Sequence, residues 1–183
     1  MSYYVVIRGP LGVGKTTVSA RLSDQLGADH ILIDRILEEE GLEEWDEDRI
    51  SLKSFLRANE FVVARVRGAL KRHSPSIVDG CFYWKEQLDD LVEKLHAPHY
   101  VFSLVAPLEV CVERDRTRPL PEKGTGPRGG DQQGKEAAAA VYQLVSALPY
   151  GIEIRADGSL DATVLSILGL LPMVRRRSRS ERG

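Results

Sequence analysis

The chain has 183 residues, of which 43% are hydrophobic and 28% are charged, and its net charge at pH 7 is −2. This composition is typical of one globular domain with a sizeable core, and the sequence contains no apolar run of about 18 residues that could span a membrane. The N-terminus lacks the basic flank of a secretory signal, and the two cysteines, Cys81 and Cys111, lie far apart in apolar settings. We therefore expect a cytoplasmic protein without disulfides.

Charge is distributed unevenly along the sequence. Eight of the residues 38–48 are acidic and none is basic, whereas residues 175–182 contain five arginines and one glutamate. A segment rich in arginine, serine and glycine cannot bury much apolar surface. We therefore predict a single domain of residues 1–172, followed by a disordered basic tail of residues 173–183. A solvated end is the favoured interpretation of this tail, and an arm that binds nucleic acid is the alternative.

Short β-branched runs alternate with segments of helical periodicity along the chain. In chain order, the pattern predicts strand Tyr3–Arg8, helix Lys15–Leu26, strand His30–Asp34, helix Ser51–Arg72, strand Ser76–Asp79, helix Tyr83–Leu95, strand Tyr100–Val105, a helix that starts at Pro107, helix Gly134–Leu148, strand Gly151–Arg155 and helix Asp161–Leu170. Residues 119–134 hold five glycines and three prolines, which predicts a mobile loop.

Strands that alternate with helices imply a mainly parallel sheet covered on both faces. The predicted fold class is therefore α/β, a three-layer αβα sandwich with a five-stranded sheet. Ligands of such sheets bind beyond the carboxyl ends of the strands. The motifs described below all fall at those ends.

The clearest motif is Gly-Pro-Leu-Gly-Val-Gly-Lys-Thr at residues 9–16, which matches the phosphate-binding loop G-x-x-x-x-G-K-[ST] in full. Its glycines allow backbone amides to point at phosphate oxygens, and the following helix adds the positive end of its dipole. We expect Lys15 to contact the β- and γ-phosphates of ATP, and the Thr16 hydroxyl to ligate Mg²⁺. The predicted nucleotide-binding residues are Gly9, Leu11, Gly12, Val13, Gly14, Lys15, Thr16 and Thr17.

Two classes of phosphate-loop protein are disfavoured. A GTPase needs a guanine-reading Asn-Lys-x-Asp, which is absent, and a transporter-type ATPase needs a longer chain with a Gly-Gln signature loop. The small size and the arginine-bearing loop favour a small-molecule or nucleoside-type kinase.

Three segments carry a resemblance to known proteins: residues 9–17, Ile-Val-Asp-Gly at 77–80, and Glu-Arg-Asp-Arg-Thr-Arg at 113–118. They resemble the P-loop kinase superfamily of adenylate, shikimate and gluconate kinases. Late in the chain, the glycines around residues 130–134 and Tyr-Gly-Ile-Glu-Ile at 150–154 look most like chloramphenicol phosphotransferase and related small kinases. The resemblance covers about residues 3–170. It implies a P-loop kinase fold with a flexible lid at about residues 115–134.

The resemblance implies functional roles for two carboxylates, Asp34 and Asp79. Asp34 ends the second predicted strand, where such kinases hold the acceptor, and it would accept the proton of the attacking hydroxyl. The alternative is that Asp34 caps the helix that follows it. Asp79 ends the third predicted strand and would hold Mg²⁺ through water, opposite Thr16. The alternative for Asp79 is an Asp-Gly turn.

Arginines near the lid would neutralise the transferred phosphoryl group. Arg114 and Arg118 share a helix face and are the predicted catalytic arginines, while Arg116 points away. The alternative is a solvated face with ion pairs to neighbouring acids. The loop at residues 156–159 packs beside adenine in the related kinases, or is an ordinary turn here.

The acceptor is the least determined part of the sequence. The acidic run at residues 38–48 favours a neutral or cationic small molecule, unless it is only a solvated helix face. Gly80 would let the acceptor approach the backbone, with Phe82, Tyr83 and Trp84 available to stack on it or to pack in the core. Asn59 interrupts an apolar helix stripe and either faces a ligand or makes a core hydrogen bond.

Three functions remain open. The first is an ATP-dependent kinase that phosphorylates a hydroxyl of a small molecule. The second is a nucleoside or polynucleotide 5′-hydroxyl kinase, which is disfavoured because the third residue after Asp34 is Leu37 where polynucleotide kinases have arginine. The third is a nucleotide-binding switch or interaction module with little turnover.

Overall fold

The computed structural model describes residues 2–46, 49–117 and 132–172, and the side chains of residues 132–134 are outside this description. The predicted tail at residues 173–183, most of the predicted lid, and Arg118 therefore lie outside the described residues.

Strands and helices alternate along the described part of the chain. Its strands are β1 (Tyr4–Arg8), β2 (Asp29–Leu32), β3 (Trp45–Asp46), β4 (Arg49–Ile50), β5 (Ser76–Asp79), β6 (His99–Val105) and β7 (Ile152–Arg155). Its helices are α1 (Lys15–Leu26), α2 (Ile33–Glu39), α3 (Leu52–Lys71), α4 (Lys85–Leu95), α5 (Leu108–Arg116), α6 (Gln132–Ser146) and α7 (Leu160–Leu168).

Five strands form one sheet in the order β2-β5-β1-β6-β7, and all neighbouring pairs are parallel. All five residues of the central strand β1 are buried, as expected of a parallel strand covered on both faces. Side chains of α1, α5 and α7 pack on one face, and those of α2, α3 and α4 pack on the other. The predicted α/β fold, a three-layer αβα sandwich with a five-stranded parallel sheet, is confirmed.

Helix α3 shows how the sequence positions these layers. Ser51 is its N-cap, and the Ser51 side chain accepts a hydrogen bond from the backbone N–H of Ser54. Phe55, Val62 and Val66 recur on one helix face and are at most 3% exposed. Each such burial contributes roughly 1.5–3 kcal/mol, so the apolar stripe fixes α3 against the sheet.

The structure corrects the predicted end of the second strand. β2 ends at Leu32, which lies opposite Asp79 in the sheet, and α2 begins at the next residue. Asp34 therefore lies in the first turn of α2 rather than at a strand end. The alternative of a helix cap at Asp34 is also wrong, because Leu32 is the N-cap residue. The apolar side chains of α2 are buried in the core, which favours a helix over a longer strand.

Three further features differ from the prediction. Helix α4 begins at Lys85 rather than Tyr83, because Trp84 has an extended backbone and is the N-cap residue. Pro107 is the N-cap of α5 rather than its first helical residue. The short antiparallel pair of β3 and β4 was not predicted at all, because strands of two residues are too short to show an alternating pattern.

Both cysteines, Cys81 and Cys111, are buried and unpaired. No helix in the described ranges is long and apolar enough to cross a membrane.

Candidate active site

The phosphate-binding loop lies between β1 and α1, at the carboxyl end of the central strand. Gly12 has a φ of 72° and Gly14 a φ of 100°, conformations that L side chains rarely adopt. A Cβ atom on Gly12 would lie 1.9 Å from the backbone oxygen of Cys111, so α5 packs directly against the loop. Gly14 caps α1 without a side-chain hydrogen bond, which leaves the first N–H groups of a 12-residue helix available to an anion.

The Lys15 side chain folds back onto the phosphate-binding loop. Its ammonium donates a hydrogen bond of 2.9 Å to the backbone oxygen of Pro10, and the residue is 8% exposed. Burial lowers the pKa of Lys15, but its interactions with Cys81, Asp79 and Asp34 outweigh burial and raise the pKa above its ordinary value. The side chain therefore stays charged at neutral pH, as phosphate binding requires.

Asp79 lies next to the loop because β5 pairs with β1, and Asp79 is opposite Ile7 in that pair. The carboxylate is 4% exposed, and its Oδ2 atom has no hydrogen-bond partner among the described residues. A buried carboxylate oxygen without a partner is costly, and a metal-bound water would satisfy it. The Asp79 carboxylate therefore fits the predicted role at a Mg²⁺ site, and the role of Thr16, in the first turn of α1, stays a prediction.

His30 is a neighbour of this carboxylate that the sequence did not suggest. Its Nε2 atom lies 3.6 Å from Oδ2 of Asp79, and the side chain is 19% exposed. His30 reaches Asp79 because β2 and β5 are adjacent in the sheet, with His30 opposite Ile77. No local sequence signal could reveal this pair, since its two members are 49 residues apart.

Asp34 approaches the same centre from α2. It contributes to raising the pKa values of Lys15, Cys81 and Tyr83 through its charge, so it lies within electrostatic reach of all three. Asp34 is also solvent-exposed, which leaves it accessible to an acceptor. The role of Asp34 as the catalytic base stays a prediction.

Cys81 is close enough to Lys15, Asp34 and Asp79 for all three to affect the pKa of its thiol. It is 6% exposed and interacts with the Lys15 side chain, which changes the pKa of both groups. Burial is the largest effect on Cys81 and raises the pKa of its thiol above the ordinary value, although Lys15 opposes that shift. Cys81 is therefore a neutral thiol that lies between the phosphate loop and the acceptor side.

The predicted acceptor contacts at Gly80 and the aromatic residues after it are wrong in part. A Cβ atom on Gly80 would lie 3.0 Å from the Ile33 side chain and 3.2 Å from the Phe82 ring, so no acceptor reaches the backbone there. Phe82 and Tyr83 are at most 8% exposed and belong to the core. Trp84 is partly buried, and the Arg49 guanidinium lies 5.2 Å from its ring centroid.

These aromatic residues anchor the hairpin of β3 and β4 beside the site. The Tyr83 hydroxyl accepts from the backbone N–H of Ile50 and donates to its carbonyl, both at 3.1 Å. Trp84 Nε1 donates to the same carbonyl at 3.2 Å. The hairpin therefore has a fixed place next to the chain that follows Asp79.

Two acids of the acidic run, Glu39 and Glu44, form ion pairs with nearby bases. Glu44 forms ion pairs with Lys53 and Arg57, and Glu39 forms ion pairs with Arg35 and Arg65. These exposed pairs contribute little to stability, but they reduce the negative field over the acceptor side. The interpretation of residues 38–48 as a solvated face is supported, and the argument for a cationic acceptor is weakened.

Arg114 is placed beside the loop but is already engaged. Its Nη1 atom donates to the carbonyl of Ala156 at 2.7 Å and to that of Val13 at 3.4 Å. Arg114 thereby ties the loop after β7, which was predicted to lie near adenine, to the phosphate loop. Arg116 pairs with Glu113 on the surface, as its predicted outward direction implies. The phosphate-contacting role of Arg114 stays a prediction.

Asn59 makes core hydrogen bonds instead of facing the site. Its Nδ2 atom donates to the carbonyl of Gln87 and to the carboxylate of Asp90, both at 2.8 Å, and the residue is fully buried. It links α3 to α4, which is the second of its two predicted roles.

Comparison with known proteins identifies the family. Residues 5–145 match a family model described as "AAA domain". A comparison with curated proteins gives no significant match.

Three solved structures share this fold. A gluconokinase from Sinorhizobium meliloti 1021 is 17% identical with a TM-score of 0.62, over 91% of this chain and 89% of that chain. A sugar kinase from Janibacter sp. HTCC2649, solved unliganded, is 18% identical with a TM-score of 0.69, over 92% and 94% of the two chains. The shikimate kinase from Aquifex aeolicus vf5 is 17% identical with a TM-score of 0.56, over 90% and 94%.

The resemblance predicted from the sequence is therefore confirmed at the level of family and fold, while the likeness to chloramphenicol phosphotransferase stays a prediction. The family model covers well over half of the chain, and the similar structures are P-loop kinases of small molecules. The chain belongs to the AAA domain family and has the fold of the P-loop small-molecule kinases.

Proposed function

We propose that this protein is an ATP-dependent kinase that transfers the γ-phosphate of ATP to a hydroxyl group of a small molecule. The observation that carries the proposal is the placement of the phosphate loop between β1 and α1, with Asp79 at the end of the adjacent strand β5. Asp34 lies in the first turn of α2, directly after strand β2, which is the other neighbour of β5. A protein that only bound nucleotide would need the loop and a metal carboxylate, but not an exposed carboxylate on the acceptor side.

Each residue has a chemical role in this proposal. Lys15 and the amides at the start of α1 bind the β- and γ-phosphates and offset the charge that develops during transfer. Thr16 and Asp79 would hold Mg²⁺, which supplies further neutralisation of the phosphates when bound. Arg114, and Arg118 outside the described residues, would add positive charge near the nucleotide.

The residues named above account for the bond that forms, the bond that breaks and the proton that is released in the transfer step. The acceptor oxygen forms a bond to the γ-phosphorus, and the bond between that phosphorus and the β,γ-bridging oxygen breaks to release ADP. The proton of the acceptor hydroxyl passes to the Asp34 carboxylate, which α2 holds at the edge of the site. Burial of Lys15 and Cys81 keeps water away from the donor side.

The acceptor class is proposed from the similar structures. The related proteins of known structure include kinases named for gluconate, sugars and shikimate, which are polyhydroxylated small molecules. We infer that the acceptor of this protein is a small molecule with hydroxyl groups, and we place the reaction in the cytoplasm, where ATP is available and unpaired cysteines such as Cys81 and Cys111 persist.

The test is transfer of label from [γ-³²P]ATP into a panel of sugars, sugar acids, aminoglycoside-like drugs, nucleosides and oligonucleotides, with water as the reference acceptor. Labelling of a small hydroxyl compound well above hydrolysis supports the proposal. Labelling of oligonucleotides that falls steeply with salt would favour the nucleic-acid kinase instead. Tight ATP binding with no transfer to any member, or to water, would favour a nucleotide-binding switch.

A further inference from the structure

Arg8 is a buried cation at the carboxyl end of the central strand. It is the last residue of β1, directly before the phosphate loop, and it is 1% exposed. No carboxylate lies within ion-pair distance of its guanidinium in the described part of the chain. An arginine side chain stays protonated in proteins, although burial lowers the pKa of Arg8 from its ordinary value. A buried charge of this kind is costly and requires a compensating structural role.

Four hydrogen bonds compensate the charge, and they come from three separate parts of the fold. Nη1 donates to the Ser103 hydroxyl at 3.0 Å and to the carbonyl of Leu148 at 2.8 Å. Nη2 donates to the carbonyls of Phe82 and Val145, both at 3.2 Å. Only the Nε–H group has no acceptor among the described residues.

Two of the acceptors belong to the C-terminal end of α6. Val145 lies in the last turn of this helix and Leu148 lies just beyond it. The final carbonyls of a helix have no partner within the helix and carry the negative end of its dipole, so a guanidinium is a suitable cap. Arg8 therefore connects the strand that leads into the phosphate loop with the helix that follows residues 118–131.

The acceptor at Phe82 lies in a strained turn. Phe82 has a φ of 50°, which is unfavourable for a bulky side chain, and such conformations persist only where the surroundings enforce them. The buried Phe82 ring and the hydrogen bond from Arg8 enforce this one. The turn separates Cys81, which contacts Lys15, from Tyr83, which binds the hairpin at Ile50.

We propose that Arg8 is a positioning residue that holds the Phe82 turn, and with it the acceptor side of the site, in register with the phosphate loop and with the end of α6. The inference concerns the same site as the proposed kinase function, but it makes a structural claim that is testable without any acceptor. Loss of the guanidinium lets the turn relax, which displaces Cys81 from Lys15 and loosens the hairpin from Tyr83 and Trp84.

Tryptophan fluorescence measures this directly, because Trp45 and Trp84 are the two tryptophans of the chain. In a Trp45→Phe background, Trp84 alone reports the turn and its hydrogen bond to Ile50. Arg8→Lys and Arg8→Met are compared with Ser103→Ala, which removes one partner of Arg8 and leaves its link to Phe82. We expect a red-shifted Trp84 emission and stronger acrylamide quenching in both Arg8 variants, and emission like the parent protein in Ser103→Ala.

A second readout separates positioning from stability. Well below the melting temperature, the Arg8→Lys variant should bind a fluorescent ATP analogue within about twofold of the parent, because the loop amides remain. Its transfer to the acceptor found in the screen should fall by roughly 10–100-fold, as small misplacements of reacting groups do. Arg8→Lys keeps the positive charge and decides the question if Arg8→Met fails to fold.

The proposal is overturned if the Arg8 variants melt earlier but match Ser103→Ala in Trp84 emission, since Arg8 would then only stabilise the core. If no acceptor is found, the Trp84 fluorescence experiment still tests the positioning role of Arg8. Failure of the kinase proposal and failure of this inference are thus separate results.

Discussion

Replacing Gly12 by alanine is the most quantitative test of how the phosphate loop is built. The new Cβ would lie 1.9 Å from the Cys111 carbonyl oxygen, whereas a carbon–oxygen contact needs about 3.3–3.6 Å. Helix α5 or the loop must therefore move by about 1.5 Å. The left-handed backbone at Gly12 costs alanine about 1–2 kcal/mol, and overpacking of this kind typically adds about 1–3 kcal/mol. We expect a total loss of about 2–5 kcal/mol in the free energy of unfolding.

Gly27→Ala is the matched control, because Gly27 has a φ of 61° and open space where the Cβ would lie. It should lose only the backbone part, about 1–2 kcal/mol. Urea unfolding gives the free energies, and titration with a fluorescent ATP analogue gives the affinities. ATP affinity should fall at least tenfold in Gly12→Ala and stay unchanged in Gly27→Ala. Equal stability losses with normal ATP binding in both variants would refute the close packing of α5 on the loop.

Three further predictions concern the roles of individual side chains. Lys15→Ala should reduce transfer on the order of 10²-fold or more, because it removes the buried charge beside the phosphates, and wild-type turnover would show that the loop is not catalytic. Asp34→Asn should lower transfer by roughly 10²–10⁴-fold with ATP affinity retained, and normal transfer would mean that another group accepts the proton. Its free energy of unfolding should change by less than about 1 kcal/mol, which urea unfolding checks, because only a first-turn charge is lost. His30→Asn should raise the Mg²⁺ concentration needed for half-maximal ATP binding by about 10-fold, since partners of metal carboxylates tune affinity, whereas His73→Asn on the surface should not. Identical Mg²⁺ titrations of the two histidine variants would remove His30 from the metal site.

The sequence predicted the parts of the site that are contiguous. The phosphate loop is a single run of residues in which glycines allow the backbone conformation and a lysine and a threonine follow at fixed spacing. Asp79 followed from the apolar strand that it ends. The parallel sheet and the chain order of strands and helices were predicted from the alternation of short apolar runs with segments of helical periodicity. That alternation indicates a sheet whose two faces are both covered by helices.

The residues that the sequence did not reveal are fixed by contacts between distant segments. The sequence pattern identified Arg8 only as the last residue of a strand. Its hydrogen bonds to Phe82 and to the end of α6 depend on contacts between distant segments. His30 and Cys81 meet Asp79 and Lys15 through strand pairing and chain reversal, neither of which has a local signal. The position of Asp34 was shifted because burial of the α2 side chains ends the strand two residues earlier than its apolar run suggested.

The central claim is that phosphate leaves ATP for a hydroxyl of a small molecule rather than for water. ³¹P NMR of a reaction with the acceptor from the screen measures this directly, because ADP, phosphoester and inorganic phosphate give separate signals. The account predicts one phosphoester for each ADP formed, and formation of both products slowed on the order of 10²-fold or more in the Lys15→Ala variant. ADP that appears only with inorganic phosphate, at the same rate with and without acceptor, would contradict it.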